Sequence, residues 1–570
     1  MTDNKNMLLA IMLSALVLLG WTLISPMFLP TAGPQTVKVE NGKARPVAQP
    51  ADVAADRPQA LKNRAIVLGS TPRVRIETPS LQGSINLQGA RIDDLVLLRE
   101  RQTIDKKSPP VRLLSPAGTV GGYFASFGWT GEGLPAPGPD AVWAASAPLL
   151  TPGRPVTLSW TSPTGQRFEQ TISVDDYYLF TVKQSVANAG TGAIAVRPYG
   201  LVSRATKSPD PDGWTMHVGP IAFLNGAANY NINWKDLDEA GANGDHFDSN
   251  GGWLGFTDKY WLTALAPSQD TGIAASFRKA PNGAYQADFA RSPIVVAPGK
   301  SITTETRLFA GAKEKSVLDR YEDMGIPKLS KSIDWGWFEW FMRPIFDLLM
   351  WLFKTTGNFG VAIICLTLIV RGLMFPIAQK QFQSMAAMRK VQPKMKAIQE
   401  RHKDDKPRQQ QEILKLYQTE KINPAAGCLP ILIQIPVFYA LYKVLMVSVE
   451  MRHQPFALWI KDLSAPDPLT PVNLFGLLAF TPPSFLAIGV LPIILGITMW
   501  LQFKLNPASP DPVQQQVFAF MPWVMMIMMA PFAAGLQLYW VTNNVLSIGQ
   551  QWWLYKRYGL HLSDTHPVTT

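Results

Sequence analysis

The sequence predicts a multi-domain membrane protein: six transmembrane α-helices and one large all-β domain outside the bilayer. Three observations predict it. Long stretches lack charge, at residues 6–37, at 355–379 apart from one arginine, and at 512–555. Charged residues are only 17% of the 570, against about 25% in an average soluble protein. Between residues 65 and 330 the pattern changes to short alternating runs punctuated by Gly and Pro, which is the signature of antiparallel strands.

The first apolar stretch has its core at residues 7–29. It is longer than the apolar region of a cleaved signal peptide, about 7–15 residues, and shows no clear small-x-small site. It reads as a retained anchor, residues 1–29, with Lys5 favouring a cytoplasmic N-terminus. Residues 30–64 carry Pro30, Pro34, Pro46, Pro50 and Pro58 among Ala, Gln and Asp, and read as an extended linker. Strands follow, for example Arg73-Val-Arg-Ile-Glu77 and Tyr178-Leu-Phe-Thr-Val-Lys-Gln-Ser-Val186, with turn clusters such as Ser162-Pro-Thr-Gly165 between them. Both cysteines, Cys365 and Cys428, lie in or beside apolar segments, so no disulfide framework supports this domain. Residues 331–354 crowd Trp335, Trp337, Phe338, Trp340 and Phe341 ahead of Arg343, Asp347, Trp351 and Lys354, as an amphipathic helix at the membrane surface would.

Five more spans are expected in residues 355–560, at 355–377, 428–449, 485–503, 513–530 and 536–553. The last two come from a single uncharged run of 44 residues, too long for one helix across about 30 Å of hydrocarbon. The break falls at residues 531–535. Between the second and third spans, residues 380–421 hold eleven Lys/Arg and five Asp/Glu. This basic loop belongs on the cytoplasmic side. Met388, Val391, Met395 and Ile398 recur at helical spacing, as do Ile413, Leu416 and Tyr417, so the loop reads as a helical hairpin with a narrow apolar seam. With six spans both termini are cytoplasmic, residues 30–330 lie on the opposite side, and residues 561–570 form a short tail.

No enzyme signature is present: no phosphate-binding glycine loop, no His-Glu-x-x-His and no paired-cysteine metal spacing. No cofactor or metal site is expected, and His217 and His246 sit among the strands without ligand company. Arg371 is the informative residue. A charged side chain in the middle of a span costs about 2.5–3.5 kcal/mol on insertion scales, and no other long apolar segment carries an Asp or Glu to neutralise it. Coupled transport needs carboxylate or histidine chains at membrane depth, and these are absent too. Polar residues gather elsewhere. Thr367 is one turn from Arg371, Gln434 lies in the third span, and the last span carries Gln537, Tyr539, Trp540, Asn543, Asn544, Ser547 and Gln551. Hydrogen-bonded glue between helices is the simpler account of these groups. So many amides on one helix favour a water-containing cavity facing Arg371.

Several motifs then resemble one family. They are Ile369-Val-Arg-Gly-Leu-Met-Phe-Pro376, Gln392-Pro-Lys-Met-Lys396, Asn423-Pro-Ala-Ala-Gly-Cys-Leu-Pro430, Leu432-Ile-Gln-Ile-Pro-Val-Phe438, Pro455-Phe-Ala-Leu-Trp-Ile460 and Gly535-Leu-Gln-Leu-Tyr-Trp540. Together they resemble the YidC/Oxa membrane protein insertases over about residues 335–560. The anchor and large domain before them resemble the Gram-negative branch of that family. The resemblance implies a five-helix insertase core with a hydrophilic groove, preceded by a periplasmic supersandwich domain. It places the groove arginine at Arg371 and other groove positions at Thr367, Gln434 and Trp540. Tyr539, Asn543 and Asn544 join them as expected lining. The implied partners are nascent hydrophobic segments and the lipid bilayer, with the chain acting alone or with the Sec translocon. The ribosome and the signal-recognition-particle receptor would meet the basic hairpin 380–421, and the implied location is the bacterial inner membrane. The chain departs from the basic-tailed members, because only Lys556 and Arg557 precede a neutral end.

Overall fold

The structure is a computed structural model that describes residues 39–40, 43–44, 61–131, 134–210, 216–336, 338–403, 405–420, 429–475, 477–478, 480, 487–505 and 512–557. The expected anchor 1–29, most of the linker, Trp337, Cys428 and the tail 561–570 lie outside these residues. The described residues form two compact units that divide between Asp334 and Trp335.

The first unit is a large β-sandwich. One sheet of nine strands runs in the order Ala227–Asn229, Gly219–Leu224, Trp253–Thr257, Trp261–Pro267, Ser301–Ala312, Leu179–Asn188, Gln166–Val174, Val156–Thr161, Ala144–Ala145. The other has eleven strands, with Ile194–Arg204, Tyr123–Thr130 and Arg91–Arg101 adjacent at its centre. Pairing is antiparallel except where Arg73–Glu77 runs parallel to Leu149–Leu150. The period-2 pattern decides which side chains enter the core. In Gln166–Val174, Gln166, Phe168, Gln170, Ile172 and Val174 are buried, while Arg167, Glu169, Thr171 and Ser173 are not. Trp129 of the larger sheet meets Phe168 of the smaller one, ring centroids 5.2 Å apart.

Two buried glutamines also bind the sheets together. Gln170 Nε2 donates to the Phe127 carbonyl and Gln184 Nε2 to the Gly128 carbonyl, both at 2.8 Å. Buried ion pairs add to this: Arg278 with Asp288 at 2.9 Å, Arg204 with Asp258 at 2.8 Å, and Arg73 with Asp93. Burial pushes the Asp93 and Asp288 carboxyls up from their usual range, against the pull of their arginines. Removing one partner would strand a buried charge, at about 3–5 kcal/mol. Three short α-helices, α1 (Arg64–Gly69), α2 (Trp234–Ala240) and α3 (Lys315–Asp323), and a 3-10 turn at Leu329–Ser332 belong to the unit as well. His217 and His246 each place Nε2 2.6 Å from a backbone carbonyl, of Pro220 and Asn243.

The second unit is helical: α4 (Glu339–Thr356), α5 (Phe359–Arg401), α6 (Lys406–Thr419), α7 (Leu429–Val447), α8 (Val490–Leu505), α9 (Pro512–Met529) and α10 (Ala534–Arg557). α4 buries Met342, Phe346, Leu349 and Leu352 and exposes Trp340 and Trp351, so its two faces differ as the sequence pattern suggests. Gly357 at φ 69° ends it, and the Asn358 side chain accepts from the Val361 N–H to start α5. α5 then continues for 43 residues, about 64 Å, through Pro376 and Pro393. The second span and the first arm of the hairpin are therefore one helix. Residues 359–380 are its apolar part, the one helix among the described residues that by length and composition could cross a membrane. Residues 434–447, 490–505 and 516–529 are shorter apolar helices. Beyond the membrane-length part, Val391 and Met395 are buried against Ile413, Leu416 and Tyr417 of α6. α8 begins at Val490, later than the expected residue 485, because the Asp467 carboxylate accepts the Leu491 N–H there at 2.7 Å.

Candidate functional site

The polar residues of the helical unit meet where α10 packs against α5, α7 and α8. Arg371, on α5, reaches α10. Its Nε–H donates to Asn543 Oδ1 at 2.7 Å, and its Nη2 donates to the Asn543 carbonyl at 3.3 Å and to Ser547 Oγ. Asn543 and Ser547 are one turn apart, so a single guanidinium spans both. Ser547 Oγ in turn donates to the Asn543 carbonyl at 2.7 Å. Both partners are neutral, and among the described residues no carboxylate pairs with Arg371.

A second contact lies closer to the start of α10. Gln434 Nε2 of α7 donates to the Tyr539 hydroxyl, and Tyr539 is itself buried. Next to it Trp540 packs on Phe438 of α7, centroids 4.6 Å apart and planes at 52°. Gln434 and Phe438 are four residues apart, so one face of α7 meets two successive residues of α10.

The other predicted residues have different employment. Thr367 is buried, and its hydroxyl donates to the Ile363 carbonyl of its own helix at 2.7 Å. Asn544 Nδ2 donates to Thr498 Oγ1 of α8 at 3.2 Å, on a different neighbour from Arg371. Gln537 is fully buried. Its Nε2 lies 2.9 Å from the Met529 and Phe532 carbonyls and 3.4 Å from that of Ala530. It caps the end of α9 and the turn that follows. The polar stripe of α10 is thus divided: Gln537 serves the turn, Asn543 and Ser547 serve Arg371, and Asn544 serves α8. Ser547 is the direct Arg371 contact that the expected lining omitted. Its position one turn after Asn543 was the available signal.

Fold and site together define an integral membrane protein with a large β-sandwich domain and an arginine held between helices by neutral groups. Two family models divide the chain between them. The YidC periplasmic domain matches residues 73–348 and the 60Kd inner membrane protein matches residues 351–560. The chain is 51% identical over 559 residues to the membrane protein insertase YidC of Zymomonas mobilis, covering 98% of this chain and 96% of that one. It is 46% identical over 585 residues to the same-named protein of Methylobacterium nodulans, again covering 98% and 96%. A crystal structure of an active YidC insertase superposes with a TM-score of 0.36 at 17% identity, covering 94% of this chain and 98% of that one. The chain belongs to the YidC family of bacterial inner-membrane protein insertases.

Proposed function

We propose that the protein inserts and helps to fold integral inner-membrane proteins through a polar site on α5, α7 and α10, without bond-making chemistry or a cofactor. An incoming apolar segment with a short acidic flank would approach from the cytoplasm. Arg371 would receive the flank and shorten its path through hydrocarbon. The apolar segment would then leave sideways into lipid, driven by burial of its own surface. Thr367, Gln434, Tyr539, Trp540 and Asn543 would line the route, and Asn544 would hold α10 to α8 behind it. One observation carries this reading. Asn543 and Ser547 orient the guanidinium without cancelling its charge. An arginine neutralised by a resident carboxylate would have little left for a substrate.

The proposed topology has six spans, both termini in the cytoplasm and residues 30–330 in the periplasm. It is supported by the basic hairpin 380–421, which would face the Sec translocon, the ribosome and the signal-recognition-particle receptor from the cytoplasmic side. The route is tested with photocrosslinkers at Gln434 and Trp540 of the full chain in proteoliposomes, engaged with a stalled nascent membrane segment. Adducts from both positions are expected. Adducts from a control position on α9, Phe520, with none from Gln434 or Trp540, would overturn the route.

A further inference from the structure

The segment between Asp467 and Lys504 contains no charged residue. Helix α8 accounts only for its last part, from Val490. Before it, a short 3-10 turn at Pro471–Asn473 leads into Leu474, Phe475, Leu477, Leu478 and Phe480, all exposed, with Leu477 at 84%. An uncharged apolar loop facing water is unusual.

Five described backbone donors of this loop are paired within it. The N–H of Leu474 donates to the Pro471 carbonyl, that of Phe475 to Thr470, that of Leu477 to Leu474, that of Leu478 to Asn473 and that of Phe480 to Leu478, at 2.9 to 3.3 Å. Non-helical backbone in lipid is excluded when its polar groups are unpaired, and these donors are paired within the loop. Leu474 and Phe475 have φ of 49° and 60°, a left-handed conformation that favours Gly or Asn. Apolar residues at both places accept that strain and hold their side chains outward.

Asp467 fixes the loop to the membrane helices. Its Oδ1 accepts from Leu469 N and from Trp459 Nε1, both at 3.0 Å, and its Oδ2 accepts from Leu491 N in the first turn of α8. The patch is thereby held beside the end of a helix that enters the bilayer. A protein partner would ask for a polar rim around the apolar centre, and this stretch carries no charge to form one.

We propose that this loop is a non-spanning membrane anchor, seated in the headgroup–acyl boundary of the leaflet next to the start of α8. The inference rests on the reading of α8 and α9 as membrane spans. It is tested by photolabelling the intact protein in proteoliposomes with a phospholipid carrying a diazirine near its ester group, followed by peptide mass spectrometry. A peptide containing Leu474–Phe480 is expected to label as strongly as one containing Phe518 and Phe520 of α9. A peptide around the exposed Val295 of the β-sandwich should stay at background. Leu477→Glu should lower labelling of the loop several-fold and leave the α9 peptide unchanged. Loop labelling at the Val295 background, with α9 labelled, would overturn the proposal and leave the spans standing. Absence of label from α9 as well would overturn the span reading and the anchor with it. Loop residues shielded from both lipid label and hydroxyl radicals would mean a protein cover, which also overturns it.

Discussion

Arg371 joins two neutral partners with one planar group, and this sets what substitutions should do. Arg371→Ala removes the charge and is expected to slow insertion of segments with acidic flanks by about tenfold or more, the worth of a charge-assisted hydrogen bond. Arg371→Lys keeps the charge and should be milder, although an ammonium cannot span Asn543 and Ser547 as a guanidinium does. Initial rates of protease protection for acidic and neutral flanks in proteoliposomes measure both; equal losses for the two flanks would remove the electrostatic role. Gln537 is a different kind of polar residue. Gln537→Leu leaves the Phe532 carbonyl without its donor and the Met529 carbonyl with the Phe532 N–H alone, and should lower stability by about 1–3 kcal/mol, read as an earlier thermal transition in detergent. Sequence alone presents Gln537, Asn543, Asn544 and Ser547 as one stripe. It shows which residues are polar and on which side of α10 they lie. It does not show that three neighbours share them, because that depends on how α5, α8 and the turn before α10 pack around it.

Among the elements, the hairpin seam was the most legible. Of the expected seam, Val391 and Met395, four residues apart, are buried against Ile413, Leu416 and Tyr417, while Ile398 is only half-buried. Met395→Asp should open the hairpin, because a carboxylate placed in so small a core has no partner there. Faster proteolysis around residues 402–408, with insertion of the protein itself unchanged, would record it. The sandwich strands were legible for a similar reason, since period-2 alternation survives in Gln166–Val174. Their order was not. Leu179–Asn188 pairs with Ser301–Ala312, more than a hundred residues away, and no local pattern announces such a partner. The buried ion pairs were equally hidden, because an Arg or Asp in a strand normally signals the solvent face.

At the scale of the whole molecule, the division at Asp334 separates a domain that holds its own core from the helices that carry Arg371. Deleting residues 65–330 is expected to leave most insertion activity in proteoliposomes; complete loss in a deletion variant that still folds would move the function into the sandwich. The two parts should also differ in alkali. Burial pushes the Tyr199 and Tyr285 phenols up to about 12. These groups stay protonated in the folded sandwich when an unfolded chain would ionise near 10. The stability they contribute is therefore full below that value and is lost as pH rises from about 10 towards 12. Tyrosine absorbance at 295 nm should lag until the sandwich unfolds, and then rise together with loss of its circular dichroism.

In the proposed six-span topology, the capped turn between α9 and α10 has a consequence for the bilayer itself. α9 has 18 residues and is about 27 Å long, slightly short of a hydrocarbon core of about 30 Å. A short span ordinarily thins the membrane or must keep its exposed end at the aqueous boundary. Here Gln537 acts as the turn's private solvent, supplying the hydrogen bonds that water would give. As spans, α9 and α10 would let that turn ride below the headgroups, and the hairpin would tolerate membranes of different thickness without restructuring its tip.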